Sequence, residues 1–185
     1  MTKDAVYEGE REVRTFVDLF HGSDVLLQKS SSEKKSCYYT TMGSLLLTAF
    51  TFEAFLNHLG DKTIKFWDEI ENIGVLDKYN VFCKELGIKP DFSKRPHQTL
   101  KLLFRFRNSI AHGRSVILKV TKDVSSTDEP WDHEPKTDWE EYCTDDNAAR
   151  AREDIEKIII ELNETAGLGP SPFMHGMTIS SISTK

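Results

Sequence analysis

The feature that most constrains this chain is a wide apolar stripe between Tyr38 and Leu59. Most of its members are three or four positions apart: Leu45, Leu46, Ala49, Phe52, Leu56 and Leu59. Side chains with this spacing share one face of an α-helix, and a face this wide is stable only when other elements cover it. Gly60 follows directly, and glycine commonly ends helices. The stripe therefore predicts a helix that ends at Gly60 and lies at the centre of a helical core.

Shorter segments with helical spacing of apolar residues flank this central helix. The expected elements are a first helix from Asp4 to about Phe20, one or two helices within Thr63–Leu86, a helix from Pro96 to Gly113, and a last helix beginning near Thr144–Asn147. The polar Ser30–Ser36 run indicates a loop, and the β-branched run Val116–Val120 is compatible with a short strand. Together these segments predict an all-α fold, a four- to five-helix bundle.

Length and composition indicate a single domain. The chain has 185 residues, of which 38% are hydrophobic and 29% are charged, the balance of an ordinary soluble domain. We assign residues 1–167 to one helical domain with its core at about 36–167. The acidic, turn-rich segment 123–147 is interpreted as a surface insertion before the last helix, and 168–185 as a flexible C-terminal tail.

Several functional classes lack support in the sequence. No apolar run approaches the roughly 20 residues of a membrane-spanning helix, so we expect a cytoplasmic protein without a membrane segment. Cys37, Cys83 and Cys143 form no CxxC pair, and His133 has no second ligand at a recognised metal-binding spacing. The chain contains no GxSxG, GxxxxGK[ST], HExxH or GxGxxG motif. We therefore expect reduced thiols, no metal site and no cofactor.

Positive charge is concentrated in one segment. Residues 92–122 contain eight basic and no acidic residues, although the net charge of the chain is −6. The rest of the chain has 16 basic against 30 acidic residues, and segment 123–147 alone holds ten acids against Lys136. Phosphate binding depends on the local potential rather than on total charge. The candidate RNA-binding residues are Lys101, Arg105 and Arg114.

The same charge pattern has a second interpretation. The acidic insertion could fold over the basic helix and neutralise it, or it could gate a basic cleft, and the two interpretations are compatible with each other. Trp131 and Trp139 lie in this insertion and could stack on bases, but we expect them to anchor the insertion to the bundle.

Residues 104–113, FRFRNSIAHG, carry the one motif with chemical content. Arg107 and His112 are separated by four residues, and Asn108 directly follows the arginine. Arg107 shares a helix face with Ala111, and Asn108 shares the next face with His112. A charged arginine on an apolar helix requires a partner or a functional role. The structural alternative is a surface arginine followed by a histidine that stabilises the helix C-terminus.

This motif resembles that of the HEPN domain family, whose members are α-helical bundles with an Arg, four to six residues and a His, often with Asn after the Arg. The similarity extends to Ala49–Gly60, AFTFEAFLNHLG, which resembles the helix that carries a Glu and an Asn one turn apart in many HEPN proteins. Here these residues are Glu53 and Asn57. We interpret them as supporting residues, either a buried polar pair or partners of Arg107.

The resemblance implies a metal-independent endoribonuclease, commonly a toxin or an antiviral effector, that works as a symmetric dimer on an RNA substrate. In this interpretation His112 acts as general acid or base, and Arg107 binds the phosphate and stabilises its developing charge. Asn108 orients one of these two side chains or the phosphate. One chain offers one His and one Arg. A two-fold axis near the motif helices would supply the second of each.

Two alternatives stay open at the level of sequence. The chain could be a non-catalytic HEPN module that binds RNA, a nucleotide or a protein partner, which fits its overall acidity and its long insertion. It could also be an antitoxin or immunity protein whose acidic insertion mimics nucleic acid. A toxin, in turn, implies a neutralising protein partner.

Overall fold

The computed structural model describes residues 4–33 and 37–184. Seven α-helices and one two-stranded sheet follow in the order β1 (Ala5–Arg11), α1 (Thr15–Ser32), α2 (Cys37–Thr63), α3 (Trp67–Ile70), α4 (Val75–Glu85), α5 (His97–Ala111), α6 (Asp138–Tyr142), α7 (Asp145–Thr165) and β2 (Thr178–Thr184). Helices account for 59% of the described residues, which confirms a mainly helical fold, although the two-stranded sheet departs from the predicted all-α class. Within the described ranges, no helix is both long enough and apolar enough to cross a lipid bilayer.

Helix α2 forms the centre of the core, as its apolar stripe predicts. Leu45, Phe52 and Leu59 are fully buried, and α2 packs against α1, α4, α5 and α7. The Phe52 ring centroid lies 5.6 Å from that of Tyr79 in α4 and 6.0 Å from that of Phe104 in α5. Close packing of rigid aromatic rings holds α5, which carries the Arg–His motif, in a defined position on α2.

The predicted end of α2 at Gly60 is wrong, because the helix continues to Thr63. Gly60 serves packing instead. The indole of Trp67, a buried residue, occupies the space where a β-carbon on Gly60 would lie. Any larger residue at position 60 would displace this ring, so the glycine is required for a close approach of two elements.

The N-terminal region differs from the predicted single helix over Asp4–Phe20. It forms strand β1 and then α1, which begins only at Thr15 and runs to Ser32. Helix α1 therefore extends into the predicted Ser30–Ser36 loop, of which residues 34–36 lie outside the described residues. Phe16 and Val17, read as part of the first helix, are buried in the core.

The C-terminal segment 168–185 was predicted to be a flexible tail, but the structure forms a strand, β2, within it. Its strand β2 pairs with β1 in antiparallel register, with Ile182 opposite Tyr7. Before the strand, the Phe173 ring stacks on Phe20 of α1 with centroids 4.2 Å apart. β-Branched residues favour the extended conformation of β2, and its partner strand lies at the other end of the sequence.

The β-branched run Val116–Val120, which was compatible with a short strand, is exposed and forms no strand in the described structure.

The predicted acidic insertion is partly helical. Helix α6 starts with a capping box in which the Thr137 N–H donates to Glu140 Oε2 (2.7 Å) and the Glu140 N–H donates to Thr137 Oγ1 (3.4 Å). Thr144 caps α7 near the predicted start, because its Oγ1 accepts from the Asn147 N–H (3.2 Å).

A buried carboxylate ties the start of α5 to α7. Asp154 is 1% exposed and accepts hydrogen bonds from Arg95 Nε (2.7 Å) and Thr99 Oγ1 (2.5 Å). Arg95 also donates to Glu153 (2.8 Å). A buried carboxylate is stable only with such partners. These bonds fix the beginning of the helix whose end carries the motif.

His58 of α2 makes the stability of the fold depend on pH. Burial lowers its pKa below the usual 6.5, and its ring lies 5.1 Å from Phe16. The unfolded chain therefore binds this proton at a higher pH than the folded chain, and the free energy of unfolding decreases as the pH falls below about 6.5. We expect His58→Phe to remove this contribution, measured by urea unfolding at about pH 7.5 and 5.5. An equal loss of stability in both proteins would contradict this assignment.

Candidate active site

The Arg–His motif lies at the C-terminal end of α5. Phe104 and Phe106 are buried in the core, which holds the preceding turn of the helix against the bundle. The helix ends at Ala111, and the His112 N–H donates to the carbonyl oxygen of Asn108 (3.0 Å). The motif side chains therefore project from a rigid helix end, which favours a defined site geometry.

Arg107 is held in one orientation by three neighbours. Its Nη2 donates to Glu53 Oε2 (3.0 Å), its Nη1 donates to Asn108 Oδ1 (3.0 Å), and its guanidinium carbon lies 5.7 Å from the Phe50 ring centroid. The Arg107 side chain is 24% exposed. Its Nε is buried and has no hydrogen-bond partner among the described residues. A buried N–H group without a partner is costly, and a functional role is one explanation for such a group in a native protein.

The two predicted supporting residues have different roles. Glu53 contacts Arg107 directly, so its predicted support of the arginine agrees with the geometry. Asn57 instead accepts a hydrogen bond from Lys78 Nζ (2.7 Å), whose ammonium also lies 5.7 Å from the Trp67 ring centroid. Lys78 is 4% exposed, and a buried ammonium needs a partner. Asn57 therefore stabilises a buried lysine, which is neither of the two predicted alternatives, a pair with Glu53 or a partner of Arg107.

His112 is exposed directly after α5. Five residues along an α-helix correspond to a rise of about 7.5 Å and a rotation of about 140° around the axis. Arg107 and His112 of one chain therefore point in different directions, with Asn108 on the same face as His112. A single chain presents its imidazole and its guanidinium to different parts of the surface.

A surface pocket of about 370 Å³ lies beside Arg107. Its lining combines parts of three helices: Glu53 of α2, Phe104, Arg107 and Asn108 of α5, and residues 72–77 at the start of α4. Its volume is within the usual range for small-molecule sites. A larger pocket of about 500 Å³ is lined by Glu140 and Glu141 and includes no motif residue. The charged residues that line the pocket beside Arg107 are this arginine, Glu53 and Asp77, so Arg107 is the one cationic group among its lining residues.

The candidate RNA-binding residues differ in their contacts. Arg105 forms an ion pair with Asp138 of α6, so the acidic insertion neutralises the basic helix at this point. The Lys101 ammonium lies 4.7 Å from the Phe92 ring centroid. Arg114 is exposed beyond the end of α5. The neutralising interpretation of the charge pattern thus holds at Arg105, while Lys101 and Arg114 stay accessible.

Segment 92–122 contains basic residues that form ion pairs and basic residues that have no acidic partner among the described residues. The structure pairs four of its eight basic residues with acids: Lys94, Arg95, Arg105 and Arg107. The other four are exposed: Lys101, Arg114, Lys119 and Lys122. Exposed ammonium and guanidinium groups are available to phosphates, so this part of the surface keeps a local positive charge.

The aromatic and histidine residues of the acidic insertion take separate positions. Trp139 packs against the core, as expected of an anchor, whereas Trp131 is 65% exposed. His133 Nε2 lies 3.0 Å from the Asp128 carboxylate.

Cys83 and Cys143 are buried free thiols, and burial raises the pKa of Cys143 to about 11.

Residues 72–77, which form the turn before α4 and the start of that helix, were not predicted from the sequence as part of the site. Gly74 indicated only a boundary between helices, and no local pattern connects this turn with Arg107, more than 30 positions away. Phe50 was missed as well, because an aromatic residue in an apolar helix is normally part of the core. The available signal was the alternation of polar Asn72 and Asp77 with apolar Ile73 and Leu76 around a glycine.

Comparison of the chain with protein-family models, curated proteins and solved structures finds no match. The resemblance to HEPN domains stays a prediction that depends on the residues of α2 and α5 described above. The functional argument is therefore based on the geometry of this site.

Proposed function

We propose that the chain is a metal-independent endoribonuclease of HEPN type that cleaves RNA at a composite site between two identical subunits. The observation that carries the proposal is the fixing of Arg107 by Glu53 and Asn108 beside an open pocket, with His112 exposed at the end of the same helix. In this proposal the enzyme is a toxin or an antiviral effector that a protein partner neutralises.

The proposed reaction is an internal transfer within RNA. The ribose 2′-oxygen attacks the adjacent phosphorus while a base removes the 2′-OH proton. The bond from phosphorus to the 5′-oxygen breaks, and an acid donates a proton to that oxygen, which gives a 2′,3′-cyclic phosphate and a 5′-OH. His112 supplies the acid or base. Arg107 stabilises the negative charge that develops on the phosphorane, and Asn108 keeps the guanidinium oriented.

Two copies of the chain complete this chemistry. The reaction needs both a base and an acid, and one chain contributes one His112. Arg107 and His112 also face different directions on one helix. Beside the site Phe50 of α2 is 38% exposed, and an exposed aromatic side chain is suited to be covered by a partner. A two-fold axis beside α5 would bring His112 of one copy towards Arg107 of the other.

The direct test is an incubation of the purified dimer with a mixture of structured and single-stranded RNAs in the presence of EDTA. We expect fragments with 2′,3′-cyclic phosphate and 5′-OH ends, identified by end-specific labelling and mass spectrometry. Intact RNA under conditions where dimer formation is verified would overturn the proposal.

A mixing experiment tests the composite site. Wild type and His112→Ala chains are combined and allowed to exchange subunits. If each site needs a histidine from both subunits, equal amounts give about a quarter of the wild-type activity, because only wild-type homodimers are active. Independent subunits would give about half. Activity proportional to the wild-type fraction, with exchange verified by mass spectrometry, would contradict a site that needs both copies of His112.

A second candidate function, binding without cleavage, is favoured by the ion pairs of Arg107 with Glu53 and of Arg105 with Asp138. These acids reduce the positive charge available for a transition state. A non-catalytic module would bind RNA, a nucleotide or a protein with equal affinity in wild type and His112→Ala, and would release no product. Loss of cleavage in that variant would exclude it.

A further inference from the structure

We infer that the pocket beside Arg107 is a base-binding subsite, in which Asn72 and Asp77 recognise a guanine next to the cleaved phosphate. The inference rests on the proposed function, because it takes Arg107 as the group that binds the RNA phosphate. It adds a base preference and two binding residues, Asn72 from the turn that precedes α4 and Asp77 from the first turn of α4.

The surface of the pocket matches a nucleobase in its mixture of apolar and polar groups. Ile73, Leu76 and Phe104 contribute apolar surface. Arg107 contributes a positive charge that is paired with Glu53, and Asp77 contributes a second carboxylate. A nucleobase has two apolar faces and a polar edge, and proteins read RNA bases by stacking and by hydrogen bonds to that edge. A volume of about 370 Å³ accommodates one base with its sugar.

The polar groups of the pocket favour guanine. Asn72 and Asp77 both line the pocket and are exposed, so they are accessible to a ligand. A carboxylate accepts hydrogen bonds through two oxygens, and an amide both donates and accepts. Guanine presents two adjacent N–H donors, N1 and N2, beside the O6 acceptor. Asp77 can accept from both donors, and Asn72 can donate to O6. Adenine, cytosine and uracil lack this pair of donors.

The start of α4 holds the Asp77 carboxylate at the pocket. Asp77 lies in the first turn of α4, so its backbone is fixed by the helix. Its Oδ2 lies 3.0 Å from the position that a β-carbon on Gly74 would occupy. A side chain at position 74 would therefore crowd Asp77 at the pocket. Gly74 keeps this space open, which gives the glycine a role beyond separating α3 from α4.

Binding of nucleoside 3′-monophosphates to the intact protein tests the subsite without requiring cleavage. We expect 3′-GMP to bind at least about tenfold more tightly than 3′-AMP, 3′-CMP or 3′-UMP in isothermal titration calorimetry, and Asp77→Asn to remove this difference. Asp68→Asn is the matched control, because it removes one exposed carboxylate from α3, outside the pocket. It should leave the preference unchanged.

Asn72→Ala is a second variant outside any helix, and thermal unfolding shows whether each variant is folded. We expect Asn72→Ala to weaken 3′-GMP binding several-fold. Equal affinity for all four nucleotides, no binding, or a preference that survives Asp77→Asn would overturn the inference. Guanine-selective binding in a protein that leaves RNA intact would overturn the proposed ribonuclease alone. Cleavage without base preference, unchanged by Asp77→Asn, would overturn the subsite alone.

Discussion

The rate of RNA cleavage is expected to fall by about 10²–10⁴-fold when His112 is replaced by alanine, because the reaction then lacks its acid–base group. The larger value applies if the shared site uses both copies of His112, since the substitution removes the base and the acid together. The side chain is exposed and lies beyond the last turn of α5, so the free energy of unfolding should change by less than about 0.5 kcal/mol. Single-turnover cleavage and urea unfolding measure the two effects.

The matched control for this variant is His175→Ala. His175 is also an exposed histidine, with 64% of its side chain accessible, but it contacts Asp18 of α1 rather than α5. Its removal should leave the cleavage rate unchanged. A His112→Ala protein that cleaves RNA at the wild-type rate, or a His175→Ala protein with the same loss of rate, would contradict the assigned role of His112.

The central part of the fold could be predicted because its signal is local. Spacing of apolar residues between Tyr38 and Leu59 defines a helix face from neighbouring positions alone, and α2 is buried along that face. The pairing of β1 with β2 joins residues such as Tyr7 and Ile182, which no periodicity connects. The packing role of Gly60 could not be predicted either, because the indole ring that needs a glycine at this position belongs to Trp67 of the next helix.

The candidate site also contains one contact that the sequence could predict and one that it could not. Arg107 on an apolar helix required a partner, and Glu53 was a candidate because its helix resembles the one that carries a Glu and an Asn one turn apart in HEPN proteins. Asn57 has the same position relative to the helix face but pairs with Lys78, whose burial no pattern in the sequence indicates. Tertiary packing decides which of two similar polar residues meets the arginine, so sequence spacing alone could not separate them.

Arg107→Ala is expected to lower kcat by about 10²–10³-fold, the usual effect of removing one group that stabilises developing negative charge. Arg107→Lys should restore only part of this activity, because an ammonium cannot reproduce the two-pronged contact of a guanidinium. Arg150→Ala, a substitution of an exposed arginine on α7, is the control and should keep the wild-type rate. Wild-type kcat in Arg107→Ala would remove the arginine from the mechanism.

Glu53→Gln separates positioning of Arg107 from its charge. The variant keeps the size of the side chain but loses the ion pair to Arg107 Nη2. We expect kcat to fall about tenfold, because the guanidinium is no longer fixed, while KM stays equal or decreases, because a negative charge near the RNA is removed. In an Arg107→Ala background the same substitution should not lower kcat further. An equal loss of kcat in both backgrounds would show that Glu53 acts independently of Arg107.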